Sequence, residues 1–107
     1  MVALNTETFQ TYLAEEKETD ILMFMAGPAC FLCNEVWPDF EKTVRVLHRY
    51  SSGIAFTYVD MKENELQEIA QAYSFPQIRL YQANTDRTKT WVLNQEDSDY
   101  DSMLAFL

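Results

Sequence analysis

Apolar residues recur along this chain with two periods, and the switches between them lay out the elements. Val2 to Leu4 is long enough for a short edge strand. Asn5 or Thr6 can then cap a helix with Phe9, Tyr12 and Leu13 at i, i+3 and i+4, closed by the polar run Glu15 to Glu18. Ile21 to Ala26 is apolar at every position and is ended by Gly27 and Pro28, which predicts a central strand covered on both faces. From about Phe31 to Tyr50 the period becomes helical. Cys33, Val36, Trp37, Phe40, Val44 and Leu47 form one stripe, while Glu35, Asp39, Lys42, Arg45 and Arg49 fall mostly on the other. Pro38 lies inside that pattern, where it removes a backbone donor and predicts a kink.

Ser51, Ser52 and Gly53 stop the helix, and Ile54 to Val59 reads as a strand rich in β-branched and aromatic residues. A second helix from near Glu63 carries Leu66, Ile69, Ala70 and Tyr73 on its apolar face. Phe75-Pro76 breaks it, and Gln77 to Gln82 alternates as a strand. Asn84 to Arg87 is turn chemistry, and Thr88 to Leu93 alternates again. A last helix is expected from Glu96, with Tyr100, Met103, Leu104 and Leu107 as its stripe. The order is β-α-β-α-β-α-β-β-α. Its first part predicts parallel strands with helical crossovers and its end an antiparallel hairpin. The fold class is therefore α/β, a central mixed β-sheet with helices on both faces.

Chemistry concentrates where the central strand meets the long helix. Cys30-Phe31-Leu32-Cys33 opens that helix, so two thiols stand at i and i+3 on its first turn and can close a small disulfide loop. The unpaired N–H groups and positive dipole end of a helix favour thiolate at the outer cysteine. Glu35 and Asp39 oppose this, and no Lys, Arg or His lies between Ile21 and Glu41 to help. Cys30 is thus expected toward the upper part of the range of about 3.5 to 7.5 found for activated thiols. Two buried thiols kept as small hydrophobes are the bland alternative.

Composition narrows the partners. At 107 residues the chain predicts a single domain over 1–107, and a net charge of −9 argues against nucleic acid or an anionic membrane surface. No apolar run reaches the length of a membrane-spanning helix, and the first residues lack a signal-peptide core, so the cytoplasm is the expected location. An oxidising compartment would be expected if a signal segment had been removed. A metal site needs more ligands than two cysteines provide, and none is expected.

The Cys30-x-x-Cys33 pair after a buried strand, Pro38 five residues beyond it and Phe75-Pro76 opening the next strand together resemble the thioredoxin family over essentially the whole chain. The resemblance implies a thioredoxin fold and a proline at Pro76 that follows a cis bond and faces the cysteines. It also implies thiol–disulfide oxidoreductase activity, with Cys30 as nucleophile and Cys33 as resolving thiol. No cofactor is implied beyond the Cys30–Cys33 disulfide. The implied partners are disulfide-containing protein substrates and, as electron donor, a disulfide reductase or a small thiol. A monomer is expected. Ala29, Phe31, Leu32, Phe75 and Pro76 are the expected substrate groove, with the Phe75 backbone pairing to an extended peptide.

The chain departs from the family's usual pattern at several positions. Ala29 stands where Trp is usual, and Phe31-Leu32 replaces Gly-Pro or Pro-His. Phe24 takes the place of the buried acid and Phe56 that of the lysine accompanying it. Phe31 and Leu32 either present an apolar mouth or pack on a neighbouring loop. Two other readings stay open: a protein-interaction module with weak or no redox turnover, and a peroxide or redox sensor using Cys30 stoichiometrically.

Overall fold

The computed structural model of the protein describes residues 1–28, 30–50, 53–84 and the backbone of 88–92. The elements are β1 (Val2–Leu4), α1 (Phe9–Glu15), β2 (Asp20–Ala26), α2 (Phe31–Tyr50), β3 (Ile54–Asp60), α3 (Asn64–Ala70), β4 (Gln77–Tyr81) and β5 (Thr88–Val92). The helix expected from Glu96 lies outside the described residues, as does Ala29.

The strands form one mixed sheet in the order β1-β3-β2-β4-β5. β3 runs parallel to both β1 and β2, while β4 pairs antiparallel with β2 and with β5. β2 is central because it is apolar on both faces, and every residue from Ile21 to Ala26 is buried. Its pleat splits the core in two. Ile21, Met23 and Met25 join Phe9, Leu66 and Ala70 from α1 and α3. Leu22, Phe24 and Ala26 join Cys33, Val36 and Phe40 from α2, with Phe56, Ile78 and Leu80 beside them. Helices therefore cover both faces, α2 on one and α1 with α3 on the other.

Local chemistry fixes the helix ends. The Asn5 side-chain oxygen accepts from the N–H groups of Glu7 (2.9 Å) and Thr8 (3.0 Å), while the Thr8 hydroxyl accepts from the Asn5 N–H at 2.9 Å. Asn5 thus caps the turn leading into α1, as a reciprocal capping box does. Pro38 stands within α2 and offers no N–H to the Asn34 carbonyl one turn back.

One expected element is shorter than its periodicity suggests. The apolar stripe of the second helix includes Tyr73, but α3 ends at Ala70 and Tyr73 is 66% exposed. Gln71 adopts the left-handed conformation (φ 53°), and the Ala72 N–H bonds the Gln67 carbonyl at 3.0 Å. That closure turns the chain and swings Tyr73 away from the core.

Candidate active site

The end of β2 and the start of α2 bring the two cysteines together. Cys30 and Cys33 form a disulfide, with S–S 2.08 Å and Cα–Cα 5.3 Å. Cys30 immediately precedes the first residue of α2, and its Sγ accepts a hydrogen bond from the Cys33 backbone N–H at 3.1 Å. A sulfur here plays the part usually taken by a capping oxygen, answering one of the unpaired amide donors of the first turn. The same donor stays available to the Cys30 sulfur as thiolate, where a charge-assisted bond is stronger. Cys33 is buried in the α2-side core, whereas Cys30 is half-buried. This asymmetry suits an outer attacking sulfur and an inner resolving one.

The two apolar residues between the cysteines part company. Phe31 is 74% exposed and borders the open space beside Cys30, while Leu32 packs against the α2-side core. Phe31 is thus the exposed member of the pair, and Leu32 packs on the core and not on a neighbouring loop.

The Phe75–Pro76 bond is cis, and Pro76 is buried. Phe75 packs against both core clusters. Its ring also lies against Gly27, so that a β-carbon at that glycine would meet the Phe75 Cγ at 2.6 Å and Cβ at 2.8 Å. Gly27 in turn borders the same open space as Cys30, Phe31 and Cys33. Phe75 thereby reaches the cysteine turn through Gly27, whereas Pro76 is not among the residues lining that space. The Gly27 contact carries no sequence signature. Gly27 reads as a strand-ending breaker, and only the folded chain shows that the Phe75 ring requires it.

Behind the disulfide the chain is aromatic. The Phe24 ring is edge-on to Trp37 (5.2 Å), tilted to Phe40 (5.0 Å) and stacked over Tyr58 (6.3 Å). Trp37 is also edge-on to Tyr58 at 5.1 Å. Such pairs contribute about 0.5–1.5 kcal/mol each beyond area burial. Phe56 lies in the same cluster. In the sheet Phe56 stands beside Leu22, whereas Tyr58 is the β3 residue beside Phe24.

Two hollows flank Cys33 on its Tyr58 side. The inner one, about 230 Å³, is lined by Phe24, Ala26, Cys33, Asn34, Trp37 and Tyr58. The outer one, about 450 Å³, shares Ala26, Cys33, Asn34 and Tyr58 with it and is otherwise lined by Gly27, Cys30, Phe31 and Asp60. Burial, and secondarily the Asp60 charge, raises the Tyr58 phenol above its ordinary value of 10.0, so it stays protonated through the physiological range. Among the described residues no three His, Cys, Asp or Glu side chains are grouped to hold a metal ion, and no helix is long and apolar enough to cross a membrane.

A family model for thioredoxin matches residues 1–104. The chain belongs to the thioredoxin family. Among solved structures it is similar to thioredoxin f2 of Chlamydomonas reinhardtii, with TM-score 0.74 and 18% identity over 98% of this chain and 91% of that one. It is likewise similar to Fasciola hepatica thioredoxin, with TM-score 0.73 and 13% identity over 98% and 94%. The J-Trx1 fragment of ERdj5 superposes at TM-score 0.75 and 15% identity, over 98% of this chain and 47% of that one. No individually curated protein sequence matches. At such identities the structural likeness shows the thioredoxin fold, and the family model shows the membership.

Proposed function

We propose that this thioredoxin-family protein exchanges protein disulfides through Cys30 and Cys33. The observation that carries the reading is the Cys33 N–H held 3.1 Å from the Cys30 sulfur at the mouth of α2, with Cys33 buried behind it. As thiolate, Cys30 attacks a substrate disulfide. A Cys30–substrate bond forms, the substrate S–S bond breaks, and one substrate sulfur leaves and takes a proton. Cys33 then loses its proton and attacks Cys30 Sγ. The intramolecular disulfide forms as the second substrate thiol departs. The protein is oxidised by two electrons and the substrate reduced by two. A disulfide reductase or a small thiol in the cytoplasm returns the dithiol, and the protein acts as a monomer. Phe31 at the cysteine mouth and Phe75 behind Gly27 receive the substrate chain, with Pro76 and Leu32 supporting them from the core.

The test is the reduction potential of the couple, measured by equilibration in glutathione or dithiothreitol buffers with alkylation of free thiols. A value near about −270 mV supports a reductase, and one between about −180 and −120 mV an oxidase or isomerase. If no intramolecular disulfide forms across that range, the enzymatic reading fails. The alternative is then an interaction module that binds a partner at the cysteine mouth, a reading favoured by the 74% exposure of Phe31 and by Phe24 at the acid position.

A further inference from the structure

The resolving step needs a way out for the Cys33 proton, and the aromatic wall behind Cys33 offers none. Phe24 is 1% exposed and is ringed by Trp37, Phe40 and Tyr58. The open side of Cys33 is the cleft toward β3. Strand register places Tyr58 beside Phe24 and Asp60 beside Ala26, so both project toward the α2 face of the sheet. Asp60 lines the outer hollow together with Cys30, Cys33 and Tyr58. Among the described residues, Tyr58 and Asp60 are the titratable groups in either hollow besides the two cysteines. β2 contributes Phe24, Ala26 and the following Gly27, and α2 contributes Asn34, none of which titrates. Tyr58 is held neutral and cannot accept the proton. Asp60 is solvent-exposed at the strand end and can pass one on to water.

We propose that Cys33 is deprotonated through this cleft, with the Asp60 carboxylate, which lines the same open space, as the proton acceptor. The proposal rests on the disulfide-exchange reading above. In the step, the Cys33 S–H bond breaks and its proton passes to Asp60. Cys33 Sγ bonds to Cys30 Sγ, and the bond from Cys30 to the substrate sulfur breaks. Asp60 then returns the proton to solvent or to the departing thiol.

The test uses the full chain in its dithiol state with Ellman's reagent. Attack by Cys30 releases one nitrothiobenzoate in a second-order phase, and attack by Cys33 releases a second in a concentration-independent phase. For Asp60→Asn the second phase is expected to slow by roughly tenfold near pH 7, below the lower end of general acid–base effects. The difference should shrink above pH of about 8.5, where a thiol ionises unaided. Added imidazole should speed the second phase of Asp60→Asn and leave the native protein unchanged. A purely electrostatic role for Asp60 has the opposite sign, because removing a negative charge eases ionisation of Cys33. An unchanged or faster second phase in Asp60→Asn therefore overturns the proposal, and so does slowing that imidazole does not relieve. If the native protein shows no second phase at all, the disulfide-exchange reading fails and takes this one with it.

Discussion

The Phe75 ring occupies the space in which a β-carbon on Gly27 would stand. Gly27 follows the last residue of β2 and Phe75 lies just ahead of β4, so their contact ties the loop entering the cysteine helix to the loop that holds Pro76. Gly27 does not have a positive φ, so what the position demands is space and not backbone freedom. Gly27→Ala therefore forces the ring or the loop to move. Overpacking of this kind costs about 1–3 kcal/mol. A urea melt of the variant is expected to show that loss. A variant as stable as the parent would mean that the two loops are not coupled through this contact.

Restoring the family's buried acid is expected to harm this protein. Phe24→Asp would put a carboxylate among the rings of Trp37, Phe40 and Tyr58, and an uncompensated buried charge costs about 3–5 kcal/mol. Burial raises the folded-state pKa of such a group above its unfolded value of about 3.9. The sign follows: the charge penalty is absent below that unfolded value and grows as pH rises toward the folded one. Thermal melts should show a larger deficit relative to the parent at pH 7 than at pH 4. Equal deficits at both would show that lost packing alone accounts for the effect. Tyr58→Lys added to Phe24→Asp should recover part of the deficit at pH 7, because the register sets position 58 beside position 24.

The long-period features of the fold are legible in the sequence. The uninterrupted run Ile21 to Ala26 marks the central strand, and the stripe from Cys33 to Leu47 marks α2, whose observed limits are Phe31–Tyr50. Both signals repeat over many residues and survive local exceptions. The apolar pattern misplaces Tyr73 because one left-handed residue, Gln71, ends α3 a turn before that pattern does. The disulfide is readable because both cysteines lie on one helical turn. The contact between Gly27 and Phe75 is not, since it joins residues far apart in sequence and one of them has no side chain. The cleft beside Cys33 is hidden for a related reason: it follows from the register that sets Tyr58 and Asp60 beside Phe24 and Ala26.

Two phenols should make stability fall early on the alkaline side. Burial first, then the Glu16 charge, raises Tyr12; burial first, then Asp60, raises Tyr58. Each therefore binds its proton more tightly in the folded than in the unfolded chain. The stabilisation is fully present below the ordinary phenol value of about 10 and is lost as pH rises through the folded values. The Tyr12→Phe, Tyr58→Phe double variant should lose less stability than the parent between pH 9 and pH 11, followed by circular dichroism. Tyrosinate absorbance should show two late-titrating phenols missing. Parallel stability curves for parent and variant would remove this account.

Arg79 provides the fourth test, and its role is invisible in an alternating strand pattern. Its guanidinium donates to the carbonyls of Ala70 (2.6 Å) and Gln71 (2.9 Å), and also to the Gln77 side chain (3.2 Å) and the Tyr81 hydroxyl (3.2 Å). A cation thus sits on the carbonyl end of α3, where the helix dipole favours it, and binds α3 to β4 just before and after the Phe75–Pro76 loop. Hydrogen bonds involving a charged group contribute about 1.5–3 kcal/mol. Arg79→Met keeps a comparable stem but leaves those carbonyls without donors, so a loss in that range is expected by chemical denaturation. Arg79→Lys should recover only part of it, because a single ammonium cannot span both carbonyls as the planar fork does. Hydrogen exchange at the Ala72 amide, which closes α3 onto Gln67, should quicken in Arg79→Met. If exchange there is unchanged while global stability falls, Arg79 acts through strand β4 alone and the helix-capping account is wrong.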